Sequence, residues 1–145
     1  MKGLIQRVKR ASVTIENELY SEIKEGILVL LGVEKVDTEK NAEKLADKIS
    51  KLRIFEDENG KMNKSVLDIG GEILVVSQFT LLGDCKKGTR PSFDKAELPQ
   101  RAKELYEYFN QCVLKNNIKV KTGVFGAMMD VELINDGPVT FMVQL

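Results

Sequence analysis

The stretch Gly70-Gly71-Glu72-Ile73-Leu74-Val75-Val76-Ser77-Gln78-Phe79-Thr80-Leu81-Leu82 constrains the fold more than any other. Ile73 to Val76 is a continuous apolar run of strand length. Without polar alternation, such a run suits a strand covered on both faces. Gly26 to Val33 has the same character, and Gly32 near its end suggests close approach of another backbone. Past Val76 the chemistry changes. Ser77, Gln78 and Thr80 put three uncharged polar side chains where the strand leaves the core. Buried without partners, each would cost about 1–3 kcal/mol. Neighbouring backbone could satisfy them, or they could be held ready for a ligand.

The remaining pattern adds strands and two helices. Val13 and Ile15 alternate with Ser12 and Thr14, so residues 1–15 read as β structure. Glu16-Asn17-Glu18 is a hairpin turn candidate, with Leu19 to Lys24 returning. Asp37 or Thr38 can cap a helix whose Ala42, Leu45, Ala46 and Ile49 share one face. Arg53-Ile54-Phe55 reads as a strand stopped by the turn Asp57-Glu58-Asn59-Gly60, and residues 62–68 are ambiguous. Pro99 opens a second helix, apolar at Ala102, Leu105, Tyr106, Phe109 and Val113, that runs to about Lys115. Ile118 to Lys121 is a short strand. Phe125, Met128 and Met129 read as core packing or as the wall of a pocket. The chain ends in a strand with Val139, Phe141, Val143 and Leu145 on its buried face, entered through a turn at Gly137-Pro138. An α/β fold follows: a single domain spanning residues 1–145, with largely antiparallel, barrel-like sheets and two main helices packed on them.

Composition narrows the chemistry. There is no histidine, which removes Ser-His-Asp and Cys-His catalysis. Cys85 and Cys112 alone cannot supply the usual zinc ligand sets, and no compact acidic cluster suggests another metal. Catalysis must use positioning, backbone donors, hydroxyls, carboxylates or the substrate's own groups. No metal and no cofactor is expected. Twenty-two basic residues balance 22 acidic ones, so nucleic acid would not be held by bulk charge. A local patch remains open: Lys86, Lys87 and Arg90 cluster in residues 83–93, as a phosphate site or as an ordinary solvated loop. Two cysteines without a secretory segment point to the reducing cytosol, and no run is long enough to span a membrane. Arg7, taken alone, reads as a solvated edge charge, with a buried clamp on a backbone turn as the sharper alternative.

Two motifs carry a resemblance. Ser77-Gln78-Phe79-Thr80-Leu81 fits the Ser-Gln-x-x-Leu signature of D-aminoacyl-tRNA deacylases. Asn135-Asp136-Gly137-Pro138-Val139-Thr140 fits their Gly-Pro-x-Thr signature. Leu4 to Val8, Arg53 to Phe55, Gly60 to Asn63 and Arg90 to Phe93 are similar to the same family, so the likeness covers essentially the whole chain. The resemblance implies hydrolysis of the ester joining a D-amino acid to the 3′-terminal adenosine of tRNA, a proofreading step in translation. Backbone at Phe79 and Thr80 would stabilise developing negative charge, while Ser77 and Gln78 would place the adenosine. Thr80 is the family's older candidate nucleophile. A positioning role suits it better, because no base is implied beside it. Gly137 and Pro138, cis in the family, would reach into the pocket of a second subunit and exclude L side chains, with Arg7 bracing them. Phe125 and Met128 would line the substrate pocket. The partners implied are aminoacyl-tRNA, touched at Lys86, Lys87 and Arg90, and a second copy of the chain in a homodimer. Glycyl-tRNA should also be a substrate, since glycine has no side chain to exclude. Another ester hydrolase using Thr80 or Ser77, or a non-enzymatic RNA-binding module, are the rival expectations.

Overall fold

The structure is a computed structural model that describes residues 1–145. Its centre is β6 (Glu72–Ser77), whose side chains alternate between two cores. Ile73 and Val75 enter the larger apolar cluster beneath the helices, while Leu74 and Val76 enter a smaller one on the opposite face of the sheet. All four are essentially inaccessible to solvent, as a run without polar alternation requires.

β1 (Lys2–Ile15) is the long antiparallel spine of the sheet. It pairs on one edge with β2 (Glu18–Ile23) and then with β3 (Gly26–Gly32), so one hairpin arm covers most of its length. β3 runs parallel to β6, and β6 runs parallel to β7 (Lys119–Thr122). The expected largely antiparallel sheet therefore holds around β1, with a parallel segment added at β3, β6 and β7. Sheet order is β2-β1-β3-β6-β7, and the two ends approach each other: Ser21 Oγ donates to the Thr122 carbonyl at 2.8 Å. The sheet is thus a near-closed barrel.

Helices α1 (Glu39–Ser50) and α2 (Pro99–Lys115) pack on the outer face of the sheet. Thr38 starts α1, its N–H donating to Asn41 Oδ1 at 3.0 Å and its hydroxyl to the same atom at 2.7 Å. Pro99 occupies the first turn of α2, where a missing N–H costs nothing. Arg53 and Ile54 lie outside the strands; the expected strand shrinks to β4 (Phe55–Glu56), paired with β5 (Met62–Lys64).

The last strand differs most from expectation. β8 (Asp130–Gln144) is a single long strand along the free edge of β1. Gln6 faces Thr140 and Val8 faces Asn135, so Arg7 alone stands opposite the four residues 136–139. Gly137-Pro138 is therefore not a turn before the last strand. It is a bulge inside one, and both flanking segments run in the same direction. Nor is the face predicted for Val139 to Leu145 uniformly buried. Val139 is buried, but Phe141 and Leu145 are 41% and 44% exposed.

Candidate active site

At the end of β6 the chain turns into a short 3-10 helix, Phe79–Leu82. Gln78 N–H donates to the Leu31 carbonyl at 2.8 Å, so the turn is anchored to β3. The helical ladder begins with Leu81 N–H donating to the Gln78 carbonyl at 3.3 Å. The N–H groups of Phe79 and Thr80 precede that ladder, so neither is used within it. A Cβ built on Gly32 would lie 3.2 Å from the Gln78 carbonyl, so the close approach expected at Gly32 is present.

This turn forms one wall of a cavity of about 540 Å³. That volume suits a nucleoside-sized ligand. Ser77, Gln78 and Phe79 line it beside Leu31, Val33 and Val76. The opposite wall is the loop after β7, where Phe125 and Met128 both contribute. Phe125 is half-buried against Tyr106, ring centroids 5.8 Å apart, while Met128 is 92% exposed at the rim. Tyr106 donates its hydroxyl to the Val75 carbonyl at 2.8 Å, and burial pushes its pKa up to about 12. It stays a neutral bolt between α2 and β6 near pH 7. Glu97, Pro99 and Ala102 close the third side. Glu97 is the lining's one carboxylate, and its Oε1 accepts the Leu98 N–H at 2.7 Å. Nothing in its local sequence marks it, because a long-range backbone bond brings it to the cavity: its N–H donates to the Val33 carbonyl at 3.0 Å, just past β3.

Thr80 does not line the cavity and is exposed. Its Oγ1 accepts a hydrogen bond from the Gln78 side-chain amide, its one hydrogen-bond partner. An amide N–H cannot accept the hydroxyl proton, so no general base serves Thr80. Phe79 is 56% exposed and meets Phe93 edge-on, with centroids 5.0 Å apart. Phe93 belongs to the loop carrying Lys86, Lys87 and Arg90. That loop is closed by paired hydrogen bonds between Asp84 and Ser92 of 2.8 and 3.0 Å. All three basic side chains are exposed and make no ion pair within the protein.

Gly137 and Pro138 lie elsewhere on the protein, exposed on the edge strand, and the bond joining them is cis. Arg7 corrects the reading of a solvated edge charge: it is only 6% exposed. Its Nη1 donates to the Ile54 carbonyl at 2.7 Å and its Nε to the Asp136 carbonyl at 3.0 Å. The Asp136 carboxylate stands 3.4 Å from the same Nε. One guanidinium thus fixes one foot of the bulge, which the flat donor fork of arginine suits.

Asn135 fixes the other foot, a role the sequence did not announce. Its Oδ1 accepts the Val139 N–H at 3.0 Å, and its Nδ2 donates to Thr140 Oγ1 at 3.1 Å. The side chain spans the whole bulge and replaces ladder bonds that the extra residues interrupt. Asn135→Ala is expected to cost about 1–2 kcal/mol in chemical denaturation and to speed hydrogen exchange at the Val139 amide. Unchanged exchange at that amide would contradict the bracing role.

Comparison with known proteins identifies the family. A family model described as D-Tyr-tRNA(Tyr) deacylase matches residues 4–144. A protein of Koribacter versatilis (strain Ellin345), named D-aminoacyl-tRNA deacylase, is 59% identical over 143 residues, covering 99% of this chain and 96% of its own. A protein of the same name from Bacillus cereus (strain G9842) is 56% identical over 144 residues, covering 99% of both. Among solved structures, one described as c-Myc DNA Unwinding Element Binding Protein superposes with a TM-score of 0.94 at 46% identity, covering 100% of this chain and 99% of its own. A probable eukaryotic D-amino acid tRNA deacylase, at 17% identity and a TM-score of 0.84, covers 98% of this chain and 97% of its own and shares the fold. A family match across nearly the whole length, with relatives above half identity, places the chain in the D-aminoacyl-tRNA deacylase family.

Proposed function

We propose that the protein hydrolyses the ester of D-aminoacyl-tRNA, releasing free D-amino acid and tRNA. The observation that carries the proposal is the turn at residues 77–80. It leaves the N–H groups of Phe79 and Thr80 outside the 3-10 ladder, while Ser77, Gln78 and Phe79 line a cavity of nucleoside size. An aminoacyl ester is already activated and carries an adjacent ribose hydroxyl, so positioning plus an oxyanion hole suffices. Ser77 and Gln78 place the adenosine, Phe79 and Thr80 supply backbone donors, and Phe125 and Met128 form the far wall. Thr80→Ala is expected to keep kcat within about threefold of wild type in single-turnover hydrolysis. A loss of a hundredfold or more would restore Thr80 as nucleophile.

Chirality is assigned to Gly137-Pro138 of a second subunit. From Ser77 to Gly137 within one subunit the path crosses three strands and four residues, roughly 20 Å along the sheet. One ester cannot touch both motifs of the same chain. The bulge is exposed on the free edge of β8, beside exposed Ile134, Phe141, Met142 and Leu145. That edge suits a homodimer in which each bulge enters the partner's cavity. Exclusion by backbone also admits glycyl-tRNA. Rejecting an L residue a thousandfold requires about 4 kcal/mol, which a clash with fixed backbone supplies.

Matched D- and L-aminoacyl-tRNA are the decisive substrates. Fast cleavage of D with L left intact is expected. Equal cleavage of both would indicate a general ester hydrolase, and binding without cleavage an RNA-binding module. The unpaired Lys86, Lys87 and Arg90 are assigned to tRNA phosphates. Replacing all three by alanine is expected to raise KM for tRNA about tenfold at low salt and to flatten its salt dependence. An unchanged salt slope would remove the loop from the interface. Both cysteines are free, which suits the reducing cytosol, and no helix is long and apolar enough to cross a membrane.

A further inference from the structure

A second cavity, about 400 Å³, adjoins the first at Phe125, an aromatic residue that lines both. The second cavity differs in character. Tyr20 and Tyr106 add aromatic surface, and Tyr20 is 53% exposed although it is a large ring on a strand. Asn110 and Thr122 supply polar groups, and Lys103 and Glu107 stand among its exposed lining. Asn110 is only 8% exposed, yet its Oδ1 has no hydrogen-bond partner. A buried carboxamide oxygen left unpaired is costly and rare in a folded protein.

We infer that this cavity receives the base of the nucleotide preceding the terminal adenosine of tRNA. The site presupposes the tRNA-ester activity proposed above and extends its substrate contact by one residue. Two cavities sharing an aromatic wall match two successive nucleotides, because an unstacked single strand places its bases on either side of an inserted ring. In tRNA the preceding base is cytosine, whose exocyclic amine is a hydrogen-bond donor. Asn110 Oδ1 is an acceptor without a donor; it is closed to solvent as it stands, and a turn of the carboxamide about its last bond would present it to that amine. Tyr20 and Phe125 provide the stacking faces, and Lys103 is the cation available to the adjoining phosphate. Its pairing with Glu107 at 3.8 Å is loose enough to be exchanged.

The test compares two substrates, D-aminoacyl-tRNA and D-aminoacyl-adenosine. Tyr20→Ala removes an exposed ring. It is expected to raise KM for the tRNA about tenfold, with kcat within twofold and KM for the adenosine ester unchanged. Asn110→Ala should act in the same direction, its fold checked by circular dichroism. A tRNA abasic at the preceding position should show the raised KM with wild-type protein and no further rise with Tyr20→Ala. Equal KM for both tRNAs with wild-type protein, or an equal KM rise on the adenosine ester in Tyr20→Ala, overturns the second base site while leaving the ester activity standing. Failure of wild-type protein to cleave D-aminoacyl-adenosine and D-aminoacyl-tRNA alike overturns the functional reading itself, and this site with it.

Discussion

Gly137→Ala is expected to lower kcat/KM for D-aminoacyl-tRNA by about a hundredfold or to collapse the D/L ratio by a similar factor. Gly137 has φ +134°, a region that L side chains rarely adopt. A Cβ there would lie 2.6 Å from Val139 Cγ2 and 3.0 Å from the Val139 N. Val139 is buried and its N–H is held by Asn135, so it cannot retreat without releasing the bulge. The bulge would shift as a unit, and any carbonyl it offers to the partner's cavity would move with it. Misplacement on the order of 1 Å is enough for an effect of this size. The check is paired kinetics on D- and L-substrates, with the dimer content measured alongside. A folded Gly137→Ala dimer with unchanged rate and ratio would detach chirality from this bulge.

Gly26→Ala is expected to be the most damaging single methyl in the chain for stability. Gly26 is where β3 enters the sheet, opposite Val8 of β1 and beside Glu72 at the start of β6. A Cβ at this position would stand 1.9 Å from the Glu72 carbonyl oxygen and 2.8 Å from both its carbonyl carbon and nitrogen. Those are backbone atoms, so no rotamer change relieves the contact. Either β3 and β6 separate at their first pair or the loop before β6 moves. A loss of at least about 3 kcal/mol is expected, beyond ordinary overpacking. Urea denaturation of the soluble variant measures it, and a loss under about 1 kcal/mol would show that the strand entry is not rigid. The site lies at the other end of β6, so residual folded protein should retain kcat.

The sequence determined most of the scaffold because local pattern and burial agree there. The apolar run at Ile73 to Val76 is covered on both faces, as it had to be. Pro99 starts α2 and Lys115 ends it, since the proline and the helical face both act locally. The two motifs and the missing histidines likewise named a chemistry of positioning before any fold was known. Arg7 was legible only through its resemblance, because nothing adjacent in sequence reveals that Ile54 and Asp136 carbonyls converge on it. Phe141 and Leu145 alternate as buried residues do, yet lie on a sheet edge that nothing else in the chain covers. Period two reports which residues share a face, not whether anything covers that face. Tertiary structure alone decided that Gly137-Pro138 is a bulge facing Arg7, that Asn135 ties it across, and that Glu97 reaches the cavity. Each depends on contacts between segments distant in sequence or on strand register, which no local pattern encodes.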